Sequence, residues 1–231
     1  QAARNELRKQ FEADLARAGV QQAVPPAVAA VAQQQQRAAP TAAEAARIIA
    51  TEGQHNYHAA KKKAADRIGV SDRLALPSNM EIKEALYRYL DLYGGEAHRE
   101  NLLALRRTAV QAMRQLAGFN PRLVGSALDG TAGPHTRIAL HLFAESSEAV
   151  VLFFREKGIP FSQEQRQIRW FNGEHRQVEL VITELDGHTI ESAVFEPVHL
   201  RQAPPSPIDG KPQRRAALAE VERILADQLD Q

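Results

Sequence analysis

The sequence predicts an α/β (α+β) fold, a mixed sheet with packed helices preceded by a helical unit, and three observations carry that expectation. Arg122–Val124 is a short apolar strand, followed by a turn on Gly125-Ser126, a small-residue loop through Gly130 to Pro134, and a second strand, Thr136–Phe143. Near the end, Asn172-Gly173 and Asp186-Gly187 separate β-like segments at about Gln167–Phe171, Gln177–Thr183 and Thr189–Glu196. Asn-Gly and Asp-Gly are strong hairpin-turn signals, because both turn residues must tolerate positive φ. Before residue 118 the apolar residues instead recur at helical spacing. The expected organisation is 1–40 as an N-terminal helix and Pro/Gln-rich arm, 41–117 as the helical unit, and 118–231 as the sheet domain with a C-terminal helix.

In order, residues 3–18 carry Leu7, Phe11 and Leu15 on one stripe and end before Gly19, an amphipathic helix that needs a surface to lie on. Val20–Pro40 has Pro25, Pro26 and four consecutive glutamines, which reads as a linker or extended arm. The arm and its helix are expected to contact a protein partner, a second copy first of all. Thr41 and Glu44 form a capping-box pair opening a helix to about Ile68, interrupted near Gly53 and stopped by Gly69. Its outer side carries His55, His58, Lys61, Lys62, Lys63 and Arg67, read either as a phosphate-contacting face or as a solvated one. The two histidines have no third ligand type beside them, so no metal site is expected there.

Ser78 and Glu81 form a second capping box, starting a helix with Ile82, Leu86, Tyr89, Leu90 and Tyr93 and ending at Gly94-Gly95. Glu96–Ala117 is a third helix, with Arg99, Arg106, Arg107 and Arg114 assigned to its outer face. After the second strand, Ser146 and Ser147 cap a helix to Gly158 whose buried side is read as Ala149, Val150, Leu152 and Phe153. The proline-rich Leu200–Arg214 is expected to wander over the surface, and Arg215–Leu229 to close the chain as a helix.

Composition removes several function classes. There is no cysteine, so disulfides, thiolate metal sites and cysteine nucleophiles are excluded. With 29 basic and 28 acidic side chains, overall charge makes no general case for a polyanion partner. No apolar run approaches the length of a membrane span, and no basic-then-apolar signal pattern opens the sequence. A soluble cytoplasmic bacterial protein is the expectation.

Strand, Gly125-Ser126, the Gly-Thr-Ala loop at Gly130–Ala132 and a following strand resemble the signature of the nucleotidyltransferase superfamily, in which that strand carries Asp-x-Asp. The phrases YHAAKKKAADRIGV, LPSNMEIKEAL, PRLVGSALDGTAGPHTRIALHLF and LRQAPPSPIDGKPQRRA together are similar to an uncharacterised proteobacterial nucleotidyltransferase-like family, over about Ala45 to Leu225. The resemblance implies that Gly125 and Ser126 grip nucleotide phosphates, and that two aspartates and a third acid hold divalent ions. Here Arg137 and Ala139 stand where the aspartates belong, and Glu191 best matches the third acid, with Glu179 its rival. Their charges (+1, 0 and −1) sum to zero, and a guanidinium offers a hard cation no oxygen.

The expected protein therefore has no catalytic or metal residues and needs no cofactor. It acts by binding a protein partner, or a nucleotide or nucleic acid, at Gly125, Ser126, Arg137 and Glu191, with Lys61, Lys62 and Lys63 as a further contact face. One alternative is an active enzyme that moves a nucleotide from a nucleoside triphosphate with Mg²⁺, recruiting Asp129, Glu191 or Glu179. Another is a purely structural subunit. Strand alternation places Arg137, Ala139 and His141 on one face, with His141 read as a packed core histidine or a general base. A charged Arg137 is left three resolutions: an ion pair (with Glu191 first and Glu179 second), a bound phosphate, or exposure to water in a residual cleft. A pair would fill the former metal site, leave little room for a triphosphate and favour a protein partner, whereas Arg137 pointing at Ser126 across an open cleft would favour a nucleotide.

Overall fold

The structure, a computed structural model, describes residues 26–53, 56–70 and 76–229; the amphipathic stretch at 3–18 and His55 lie outside them. The chain divides into two compact units, residues 1–37 and 38–231, and the sheet with its helices belongs to the second.

Helix α1, Pro26–Glu52, replaces both the expected linker at 26–40 and the expected helix start at Thr41. Proline is tolerated in a first helical turn, and Ala and Gln are good helix formers. Pro40 lies inside the helix, where it removes one backbone bond. Burial of Ala38, Ala42, Ala45, Ala46 and Ile48 favours continuity there. Thr41 is wholly buried within the helix, so it caps nothing. Gly53, at φ +67°, breaks the chain before α2, Tyr57–Ile68, which Asn56 caps through bonds from the His58 and Ala59 amides. The single helix expected over 41–68 is thus two.

Helix α3, Asn79–Tyr93, begins with the expected reciprocal box: the Ser78 amide donates to Glu81 and the Glu81 amide to the Ser78 hydroxyl. Ile82 and Leu86 close a small core with Ile48, Ile49, Ala60 and Ala64. Helix α4, Gly95–Gln115, does not belong to that core. Its Leu105, Ala109 and Met113 pack on the sheet instead.

The five strands are β1 (Arg122–Val124), β2 (Ile138–Phe143), β3 (Ser162–Arg169), β4 (His175–Leu185) and β5 (His188–Phe195). They lie in the order β1-β2-β5-β4-β3, with β2 and β5 parallel and every other pair antiparallel. Both hairpins form at the expected turns, with positive φ at Gly173, Asp186 and Gly187. Short α5 (Gly125–Asp129) follows β1, α6 (Ser147–Glu156) follows β2, and α7 (Leu218–Leu229) closes the chain.

One face of the sheet (Leu123, Ile138, Leu140, Leu142, Ile190) is covered by α4, α6 and α7 through Met113, Val150, Phe154 and Val221. On α6 the buried side is Val150 with Phe154; Leu152 and Ala149 are exposed, because the helix is rotated about one residue from its expected setting. The other face, with Phe143, Val178, Leu180, Ala193 and Phe195, carries a smaller cluster with Leu200 and, among the described residues, no long helix of its own. Residues 204–213 do not wander. They close into a loop through Gln213 N–H to Pro204 O (2.8 Å) and Ser206 N–H to Lys211 O (2.7 Å), and Asn79 donates to Pro207 O at 2.8 Å. Among the described residues, no helix is long and apolar enough to cross a membrane.

Candidate functional site

The β1–α5 turn is built from the inside outward. Val124 ends β1 in extended conformation, and Gly125 turns the chain at φ +71°, a region that disfavours side chains. The next turn is locked by Gly130 and Thr131 amides donating to Ser126 O at 2.9 and 3.0 Å. Arg106 of α4, assigned by spacing to an outer face, is in fact buried. It donates to Ala127 O (3.0 Å), to Leu128 O (3.4 Å) and to Gln228 Oε1 (2.8 Å). Desolvation holds its pKa below the usual arginine value, with Arg214 acting in the same direction. The guanidinium thus serves carbonyls at the end of a helix too short to satisfy its own.

Helices α3 and α4 hold the loop after α5. Lys83 pairs with Asp129 at 2.7 Å, Tyr87 donates to Asp129 O at 2.8 Å, and Asn101 donates to Gly133 O at 3.1 Å. Asp129 is further approached by Arg214 at 4.0 Å.

Glu191 stands at the centre of the site. Register pairs it with Ala139 across the parallel β2–β5 ladder, and its side chain is only 10% exposed. Arg166 of β3 reaches over β4 to bond both its oxygens, at 2.7 and 2.8 Å, and Arg137 adds a contact at 3.4 Å. The expected Arg137–Glu191 pair forms; the stronger partner, Arg166, is one that sequence reasoning misses. It falls outside the segment expected for β3, which begins at Ser162 rather than Gln167, and the alternation of Arg166, Ile168 and Trp170 around exposed polar residues is the signal that could have found it.

The other candidates separate. Glu179 pairs in register with Val194, so it lies on the opposite face from Glu191, and it accepts from Gln165 at 2.7 Å. His141 is a packed residue, 5% exposed, with its ring 4.6 Å from Phe195 and, among the described residues, no hydrogen-bond partner for its Nδ1. Burial pushes its pKa down to about 3, and Arg215 adds to the effect. Of the lysine face, Lys63 pairs with Glu52 at 2.6 Å, and Arg67 pairs with Glu52 and Glu44, so its charge is partly neutralised. Lys61, Lys62 and Lys63 are not among the residues that line the cleft, although Tyr57 of the same helix lines its smaller lobe.

The ion pair does not close the site. A cleft on the open sheet face has two lobes, of about 870 and 420 Å³, that share Gly125, Ala139, Arg166, Ser206, Pro207 and Gln213 as walls. Arg137 and Arg166 are about half exposed (47% and 51%); Arg166 lines both lobes and Arg137 the smaller one. Two cations share one buried carboxylate, leaving a net charge of +1.

A divalent ion does not fit this donor set. Both Glu191 oxygens are engaged by guanidinia, and neither Arg137 nor Ala139 offers an oxygen. Among the described residues no group of three or more His, Asp or Glu side chains is placed to hold a metal.

Fold and site together define a mixed α/β protein with an arginine-lined cleft on the less covered face of its sheet. Compared with family models, with curated proteins and with solved structures, the chain matches none.

Proposed function

We propose that this chain is a nucleotidyltransferase-like protein that has lost nucleotidyl transfer and acts by binding a phosphate-bearing ligand in the cleft without a metal ion. The observation that carries the reading is the charge arrangement at Glu191. Where transfer chemistry asks for three carboxylates, two guanidinia neutralise the one that is present. The surplus positive charge and the free N–H groups of two half-exposed arginines suit an anion, and the planar fork of arginine matches phosphate oxygens. The turn at Gly125-Ser126 borders the smaller lobe, within the same cleft.

The test has two arms. Incubation with labelled nucleoside triphosphates, Mg²⁺ or Mn²⁺ and RNA or protein acceptors leaves nothing labelled. Calorimetry without divalent ions detects pyrophosphate or nucleotide binding that falls at least tenfold in Arg137→Ala/Arg166→Ala. Metal-dependent labelling abolished by Glu191→Ala would overturn the reading in favour of an active enzyme.

A further inference from the structure

We propose that the larger lobe is a ring-binding subsite walled by Trp170, for a ligand with a flat ring at one end and phosphate at the other. A nucleoside diphosphate is the simplest compound of that class. The inference rests on the reading that the cleft holds a phosphate-bearing ligand, and it adds where the rest of that ligand lies.

Arg166, Ile168 and Trp170 follow one another at alternate positions, so they share a face of the hairpin strand. Four residues at strand rise put Trp170 about 13 Å along the chain from Arg166, comparable with the reach of an extended nucleoside diphosphate. Trp170 stays in the ladder direction because its amide donates to Glu174 O at 2.7 Å across the turn. The Arg176 guanidinium stands 4.5 Å from the ring centroid and His199 lies 4.9 Å away, and neither lines the lobe. The ring is thereby fixed from outside the lobe.

Pro204, Pro205 and Pro207 of the closed loop form another wall, and Ile168, Leu180 and Ala193 make an apolar floor. Flat apolar walls, an apolar floor and a cation at one end are what an anionic ring compound requires. The floor also includes the ring of His141, more than nine-tenths buried and packed on Phe195. A volume of about 870 Å³ accommodates a ligand of this size.

The chain has a single tryptophan, so its fluorescence reports Trp170 alone. The full chain is titrated, without divalent ions, with ADP, UDP, pyrophosphate and adenosine, by emission and by calorimetry. At least one diphosphate is expected to bind tenfold or more tightly than pyrophosphate and to change the emission. Trp170→Ala erases that advantage and leaves pyrophosphate binding unchanged. Phe171→Ala, at an exposed position beside the ring, weakens the same diphosphate more mildly, which keeps the test open if the first variant folds poorly.

Equal affinities for diphosphates and pyrophosphate, with unchanged emission, would overturn the ring subsite while leaving the anion reading in place. No binding by any of the four compounds would overturn both. Tight binding of a single-stranded oligonucleotide with no measurable mononucleotide binding would overturn the subsite in favour of a nucleic-acid surface.

Discussion

Arg166 bonds both carboxylate oxygens of Glu191, at 2.7 and 2.8 Å, from a strand that is not adjacent to Glu191 in the sheet. The carboxylate is buried and the guanidinium half exposed, so the two partners are not energetically equivalent. Arg166→Ala strands a buried charge with only the 3.4 Å contact to Arg137 and is expected to cost about 1–3 kcal/mol. Arg137→Ala, which removes the longer and more exposed contact, is expected to cost under about 1 kcal/mol. Urea denaturation of the two variants checks the order, and a larger loss for Arg137→Ala would contradict it.

Restoring acids tests the family superposition. Arg137→Asp with Ala139→Asp and Arg166→Gln frees Glu191 and puts one carboxylate opposite it in the β2–β5 ladder and another just before β2, which begins at Ile138 rather than Thr136. The triple variant is expected to bind Mn²⁺ where the parent does not, measured by calorimetry. No gain in ion affinity would show that these positions do not converge as the resemblance implies.

Arg106 predicts a stability loss remote from the cleft surface. Arg106→Met leaves Ala127 O and Leu128 O without their donor. The expected cost is about 2–3 kcal/mol, a fall in Tm of roughly 5–10 °C for a chain of this size. Arg106→Lys keeps a charge but not the fork, and falls between. A thermal scan within about 2 °C of the parent (about 1 kcal/mol or less) for Arg106→Met would sink this role.

His141 makes stability depend on pH. Its folded pKa is pushed down to about 3, whereas an unfolded histidine titrates near about 6.5. Between those values the unfolded chain binds a proton that the folded chain refuses, so stability falls as pH drops through that window and is fully present above it. His199 is shifted down as well and contributes with the same sign. The expected slope from His141 is at most about 1.4 kcal/mol per pH unit. His141→Phe is expected to flatten it in denaturation series between about pH 5 and 7.5, and an unchanged slope would remove His141 as its source.

Gly125 predicts a backbone effect. A Cβ there would stand 4.0 Å from Ala139 Cβ, so space is available, but φ is +71°. Gly125→Ala is therefore expected to cost about 1 kcal/mol through strain alone. Denaturation reads that cost, and a loss of several kcal/mol would show a steric role instead.

The sequence by itself determined those elements whose signals are local. Gly173, Asp186 and Gly187 allow positive φ, the Ser78–Glu81 box closes over one turn, and alternation fixes which residues of β2 face together. Tertiary packing decided what competes with local signals or joins distant segments. Burial of Ala42, Ala45 and Ile48 carries α1 through Pro40 and makes Thr41 internal, against both a proline and a capping pair. Arg106 looks solvated by spacing, yet the carbonyls that hold it belong to residues more than twenty positions away. Arg166 meets Glu191 only because β3 and β5 flank β4 in one sheet. No pattern along the chain encodes the partner of a charge; the sheet's strand order does.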